Sequence, residues 1–318
     1  MQELPEKAAR HLKEGGGRMK KRTKKKPYYQ KEGYLFLLPI FIFFGIYSIY
    51  PLIFNIYYSF TDWNGMSQSW NWVGLDNFKE LLSDRVFRIT FKNTAIFFFW
   101  TVIPQAVIGL VLAYIINNIK RFSGFLRALF YFPNIIPVTI VCITFKKILE
   151  GQGGELNTFL AGIGLGSLTR HWLAKPDLAL GSLIGINVWT YISFSMFLYC
   201  VNMTNIPTDL YEAATIDGAG GFKKFRYITF PLLMNTHMTL ILLGMISTIK
   251  TFDLPYVVTG GGPAHGTEFL STYMYYLSFS KFEQGGASAV VCSMMVLCVV
   301  LTILQLRMYG IGLQSKEG

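Results

Sequence analysis

Six stretches of this chain contain no Asp, Glu, Lys or Arg: residues 33–61, 93–119, 128–145, 178–208, 227–249 and 284–306. An α-helix rises about 1.5 Å per residue, so about 18 apolar residues cross a hydrocarbon core roughly 30 Å thick. Each stretch reaches that length. The core offers no water to an open backbone amide, so runs of this kind cross as helices. One such run could be a buried helix of a large soluble protein, but six within 318 residues leave too little other chain to bury them. The sequence therefore predicts an all-α membrane protein with six transmembrane helices, at about 34–60, 93–119, 126–145, 178–203, 231–253 and 286–307. The low charge content agrees: 15% of residues are charged, against about 25% in soluble domains.

The remaining charges orient the helices. With the N-terminus inside, the cytoplasmic segments hold 19 of the 29 Lys and Arg residues, eleven of them in residues 1–32. The others are three in 120–127, three in 223–226, Arg307 and Lys316. Acidic residues divide 8 inside and 10 elsewhere, so the formal +11 lies wholly on the cytoplasmic side. This imbalance predicts that both termini are cytoplasmic. It divides the chain into a basic cytoplasmic tail (1–33), a membrane domain (34–310) containing a cytoplasmic loop at 204–230, and a short cytoplasmic tail (311–318). The run RMKKRTKKK, Arg18 to Lys26, directly precedes a membrane helix. It reads as a topology signal that contacts anionic lipid, so no nucleic-acid partner is expected. Cys142, Cys200, Cys292 and Cys298 fall within apolar runs, with no CxxC or Cys/His ligand spacing, and are expected to pack.

Polar and special residues inside the spans mark candidate working parts. Pro133 and Pro137, four apart, kink one face of the third helix. Gly181 and Gly185 suit a close helix contact in the fourth. That helix also carries NVWTYISFS, in which Asn187 and Tyr191 share a face. These aromatic and polar groups either line a cavity or simply pack. At the end of the fifth helix Lys250 and Asp253 lie three apart, on one helical face, where they can pair. The following PYVVTGGGP lacks an amide donor at Pro255 and frees the backbone at Gly260, Gly261 and Gly262. Unwound chain at membrane depth must line a cavity or be buried in protein, so Asp253, Tyr256 and Gly260–Gly262 either border such a cavity or form an outer turn whose ion pair only anchors the helix. Ionisable groups there also support an alternative, an ion-coupled secondary transporter using Lys250 and Asp253. Four scattered histidines and the lack of HExxH or GxSxG argue against an intramembrane enzyme.

The stretch YEAATIDGAGGFKKFRYITFPLL, residues 211–233, needs its own account. Pro207 suits the first turn of a helix running through Ile216, with Ala213 and Ala214 as a low-profile face. Gly218, Gly220 and Gly221 end it and permit a sharp turn. A second short helix, Phe222 to Thr229, combines Lys223, Lys224 and Arg226 with Phe222 and Phe225, and Pro231 begins the next span. The result is a helix–turn–helix knuckle suited to a groove on another protein.

EAATIDG, nine residues, then ITFP resembles the EAA loop of ABC-importer permeases: EAA, three residues, Gly, nine residues, then Ile-x-Leu-Pro. Glu212, Ala213, Ala214, Gly218, Ile228 and Pro231 match, with Asp217 just before the glycine; Phe230 stands where Leu is usual. PLIFNIYYSFTDWNG, GLDNFKELLSD and TFDLPYVVTGGGP extend the resemblance over roughly residues 30–310. Together they resemble the carbohydrate-uptake class, the maltose, multiple-sugar and glycerol 3-phosphate permeases. The resemblance implies a type I ABC importer transmembrane fold in a bacterial or archaeal inner membrane. It implies that Glu212, Ala213, Ala214, Asp217, Gly218, Ile228 and Pro231 form the element that docks on an ATP-hydrolysing subunit. It also implies the first of the two readings of Asp253, Tyr256 and Gly260–Gly262, as the border of the solute's entry route. The implied partners are a second, related permease subunit, two ATP-binding subunits and an extracytoplasmic solute-binding protein. The implied substrate is a sugar or oligosaccharide, whose C–H faces and hydroxyls suit Asn187, Trp189 and Tyr191. The chain has no GxxxxGK[ST] phosphate loop and no LSGGQ-like signature. It is thus expected to bind no cofactor and to be no enzyme, ATP and Mg being held by partner chains.

Overall fold

A computed structural model of the chain describes residues 30–119 and 121–314. The run Arg18–Lys26, Lys120, Lys316, most of the predicted N-terminal tail and half of the predicted C-terminal tail lie outside the described residues. The chain divides into two compact units, Met1–Leu52 and Ile53–Gly318. In the first, α1 (Gln30–Phe44) passes Pro39 and runs into one wide π turn, Gly45–Ile49; α2 (Tyr50–Tyr58) begins at its end. Tyr34–Tyr58 is long and apolar enough to cross a membrane.

The second unit opens with an aromatic loop. Trp63 and Trp70 pack on each other with ring centres 6.0 Å apart, Trp63 also on Tyr58 at 4.2 Å, and Trp72 on Phe60 at 5.4 Å. Asp62 closes the loop by accepting the Asn71 amide N–H at 2.6 Å and its side chain at 3.0 Å, bonds that hold this carboxyl below its ordinary pKa. α3 (Asp76–Ser83) leads through Asp84 into α4 (Arg85–Asn118). Asp84 caps α4, accepting from the Val86 and Phe87 amides at 3.0 and 3.3 Å, and it also accepts the Tyr273 hydroxyl. The cap starts this helix eight residues before the expected 93, because Arg85, Arg88 and Lys92 extend it beyond the apolar run.

The predicted third span is two helices, α5 (Ser123–Ile135) and α6 (Val138–Ile148), bent by 85°. Ile136, held extended at ψ 130° by the following Pro137, makes the corner, so the proline breaks the span rather than kinking it. A surface helix, α7 (Glu155–Gly162), precedes α8 (Pro176–Met203). Then come α9 (Thr208–Ile216), α10 (Gly221–Leu232, with a π turn at Phe225–Thr229) and α11 (Met234–Lys250), the last two bent by 61°. The second helix of the knuckle is therefore longer than expected, and Pro231 lies in its final turn. The fifth span stops at Lys250, short of the expected 253. After α12 (Asp253–Thr259) and α13 (Leu270–Tyr275), α14 (Gln284–Gln314) completes the chain. Among the described residues four helices are long and apolar enough to span, and six if each bent pair is one span.

Close approach between helices rests on single glycines. A Cβ on Gly109 of α4 would stand 2.7 Å from the Ser195 Cβ of α8, and one on Gly244 of α11 would stand 2.6 Å from Val102 of α4. In lipid, where apolar side chains gain little by leaving the solvent, such backbone proximity is a main source of helix association. Gly181 and Gly185, the pair expected to do this, have no such neighbour within 4 Å among the described residues. Cys142, Cys200 and Cys292 are buried and Cys298 is half-buried, all as free thiols, in keeping with a packing role.

Candidate functional site: a knuckle and a cleft on shared helices

α8 leads into the knuckle. α9 ends in a Schellman motif: the Ala219 amide donates to the Ala214 carbonyl at 2.8 Å and the Gly218 amide to the Thr215 carbonyl at 3.0 Å. Gly218 takes φ +73° to make the turn, a conformation that L side chains resist, whereas Gly220 is extended at φ −69°. The two helices are pinned together by the Tyr211 and Thr229 hydroxyls at 2.8 Å and by Lys224 Nζ donating to Thr215 Oγ1 at 2.8 Å. Tyr114 of α4 donates to the Gly221 carbonyl at 3.1 Å and stacks edge-on against Phe225 at 4.9 Å. Tyr211, Phe225 and Ile228 pack against a core built from Ile116, Met196, Tyr199, Met203 and Leu233. Glu212, Ala213, Asp217 and Gly218 are exposed, Ala214, Ile228 and Pro231 are half-buried, and Ile216 at 87% and Phe222 at 79% stand almost fully outside. A rigid element with a bare apolar tip results.

The second feature is a cleft between α4, α6, α8 and α11. Two adjoining cavities of about 360 and 320 Å³ share Asn187, Tyr191, Leu243, Ser247 and Thr251 as lining. Asn187 and Tyr191 thus occupy one wall, as their spacing predicts. Asp253 and Lys250 line the first cavity with Phe252, and neither is in an ion pair among the described residues. Their expected pairing fails because α11 ends at Lys250, Thr251 is extended at ψ 113°, and a new helix starts at Asp253.

The other nominated residues lie elsewhere. Trp189 packs edge-on against Phe145 at 5.1 Å and is no lining residue of either cavity. Tyr256 stacks on Phe252 at 4.8 Å, one ring behind the cleft wall. Gly260 and Gly261, at φ +63° and +83°, turn the chain over the buried Glu268, and Gly262 forms a cis bond to Pro263. A Cβ on Gly261 would fall 2.4 Å from Glu268 Oε2, so Gly261 serves close packing, and none of the three glycines lines either cavity. Pro255, read as a mark of unwound chain, is buried in the first turn of α12, where an amide has no helical acceptor. Sequence reasoning missed Gln105, whose Nε2 donates to Asn187 Oδ1 at 2.8 Å and to the Asn187 carbonyl at 3.1 Å, and also missed Ser247 and Thr251. The available signal was an amide side chain inside an uncharged span, directly after Pro104.

Comparison with known proteins places this architecture. The profile described as "Binding-protein-dependent transport system inner membrane component" matches residues 94–308. The chain is 32% identical over 281 residues to the probable ABC transporter permease protein YurN of Bacillus subtilis, covering 88% of this chain and 96% of that protein. It is 32% identical over 288 residues to the lactose transport system permease protein LacF of Rhizobium radiobacter, covering 89% and 96%. Among solved structures it superimposes with a TM-score of 0.76, at 24% identity, on a chain of a bacterial ABC transporter that imports the acidic polysaccharide alginate, covering 87% of this chain and 94% of that one. The fold is the expected type I ABC importer permease fold, and the ion-coupled reading of Lys250 and Asp253 gives way to it. A knuckle with the EAA spacing, a polar cleft on the same helices and full-length similarity to permeases lead to one assignment: the chain belongs to the family of binding-protein-dependent transport system inner membrane components.

Proposed function

We propose that this chain is the permease subunit of an ATP-driven importer, lining half of the path for a sugar or oligosaccharide handed over by an extracytoplasmic binding protein. In this reading the chain spans a bacterial or archaeal inner membrane six times with both termini cytoplasmic, the two bent helix pairs each counting as one span. The knuckle, Glu212 to Pro231, faces the cytoplasm and docks on one of two separate ATP-binding subunits, which hold the ATP and Mg. A second, related permease subunit completes the path. The observation that carries the proposal is mechanical. α8 and α11 wall the cleft at Asn187, Tyr191 and Ser247 and also flank the knuckle, α8 across the short turn 204–207 and α11 across the 61° corner, so a push on the knuckle has a short route to the cleft. The cleft offers amide, hydroxyl and phenol groups with one carboxylate and one ammonium, which suits a polyhydroxylated solute. The names of the lactose permease and the alginate importer support a saccharide.

Mass spectrometry of the intact purified complex tests the assembly: it should show two permease chains, two ATP-binding chains and an added binding protein. A chain that purifies without any ATP-binding subunit overturns the reading. Topology is tested by a single cysteine at position 224 on a cysteine-free background, which an impermeant reagent applied to intact cells should not reach.

A further inference from the structure

The coupling reading leaves one question open: what joins the knuckle to the cleft-lining helix at the corner where α10 turns into α11. The corner bends by 61°, and rigid transmission through it needs a tie. His237 lies within the first turns of α11. Its Nε2 meets the Phe230 carbonyl of α10 at 3.2 Å, and its Nδ1 meets the Tyr199 hydroxyl of α8 at 2.7 Å. A carbonyl only accepts, so Nε2 carries the proton; a neutral ring then has Nδ1 free to accept from Tyr199. Both contacts are met by one tautomer. The ring also packs on both partners, with centres 4.7 Å from Phe230 and 5.3 Å from Tyr199. Tyr199 is 1% exposed, on the same helix as Asn187 and Tyr191. A single imidazole thus ties α8, α10 and α11 at the corner where α10 meets α11.

We infer that His237 is a positioning residue that carries displacement of the knuckle from α10 into α11 through its bond to the Phe230 carbonyl. The inference rests on the proposed coupling role of the knuckle and goes beyond it in assigning the link. A histidine that merely satisfied the buried Tyr199 hydroxyl would need only Nδ1. The two roles separate by chemistry. In Asn the amide stands at the Nδ1 position, so His237→Asn keeps a partner for Tyr199 but falls short of Phe230. In Gln the amide reaches the Nε2 position, so His237→Gln keeps the donor to Phe230 and releases Tyr199.

The readout is the access of a cleft residue. Ser247→Cys, on a cysteine-free background in the complete complex with its ATP-binding subunits and binding protein, is labelled by a maleimide without nucleotide and after trapping with MgATP and vanadate. The trapped and nucleotide-free rates should differ. His237→Asn should shrink that difference by about fivefold or more, the low end of coupling between protein sites, and His237→Gln by less than about twofold. If His237→Asn does not assemble, His237→Phe, which keeps a ring but donates to no carbonyl, should show the same loss, while Tyr199→Phe, which frees Nδ1 alone, should shrink the difference by less than about twofold, as His237→Gln does. Equal responses from Asn and Gln, or from His237→Phe and Tyr199→Phe used in that way, overturn the inference. Gly218→Val separates the two levels. If it keeps the full difference, the coupling reading itself fails; if it loses the difference while His237→Asn keeps it, only the His237 assignment fails.

Discussion

Replacing Gly218 with valine should uncouple solute-stimulated ATP hydrolysis, while asparagine at the same position should largely preserve it. The magnitude follows from the turn. Gly218 sits at φ +73°, and a Cβ built there meets nothing within 4 Å, so a substitution brings no clash within the chain and its cost is purely conformational. An L residue in the left-handed region costs roughly 1–2 kcal/mol. Valine, stiff at χ1 and poorly tolerated at positive φ, belongs at or above the upper end, alanine lies nearer 1 kcal/mol, and asparagine is the mildest because its short amide favours this region. Each 1.4 kcal/mol is about tenfold in an equilibrium, so valine should depopulate the Schellman turn roughly thirtyfold or more relative to glycine. That turn fixes the angle between α9 and α10 through the Ala214 and Thr215 carbonyls. The assay is ATP hydrolysis by the assembled complex, at matched amounts, with and without solute-loaded binding protein. Stimulation should fall in the order Gly, Asn, Ala, Val. Normal stimulation and uptake with valine, or a valine value equal to that of asparagine, would refute the argument that this dihedral sets the coupling geometry.

Three further outcomes follow from the same geometry. Asp253→Asn and Tyr191→Phe should lower uptake several-fold at unchanged assembly, whereas Trp189→Ala should leave apparent affinity unchanged because that ring lies off the cleft; transport assays at matched complex levels check the contrast. Gly109→Val should lower the thermal midpoint by an amount matching about 1–3 kcal/mol of overpacking against Ser195 and Met196, while Gly181→Val should not, as differential scanning fluorimetry in detergent would show. Asp84 should make the second unit acid-sensitive. Burial raises its pKa, but bonds from Tyr273, Val86 and Phe87 outweigh that and hold it below the ordinary value. The stabilisation is therefore present above the unfolded carboxylate pKa and lost as pH falls through the folded one, so between about pH 5 and 3 the melting temperature of the native chain should fall more steeply than that of Asp84→Asn.

Much of this architecture was legible because lipid permits so few alternatives. A charge-free run long enough to cross must be helical, and the runs at 93–119 and 284–306 and residues 178–203 of the run 178–208 are helices, reaching past their runs where polar flanks extend them. The knuckle was legible for a different reason: its turn depends on local chemistry, a glycine at the position where the Schellman motif needs positive φ. What failed was inference across a break. The pairing of Lys250 with Asp253 assumed one continuous helix, and Pro255 was taken to end a helix when it occupies the first turn of a new one. Proline is compatible with both, and only packing decides: α12 begins where Leu254 and Val258 share a core with Val141 and Cys142 of α6 and with Leu149 just after it. The same packing explains why α6 turns by 85° at Pro137 instead of continuing α5, since a straight third span would carry Val141 and Leu149 away from α12. The glycines teach a related lesson. Spacing nominated Gly181 and Gly185, yet close approach went to Gly109 and Gly244, isolated in the sequence and placed only by which helices meet. Polar side chains inside the spans were better guides than spacing. An amide in an uncharged span must find a partner, and another amide supplies both a donor and an acceptor. Gln105 was a residue to notice on that ground, although only the structure shows which amide it meets, and its bond to Asn187 brings α4 and α8 together at the cleft wall.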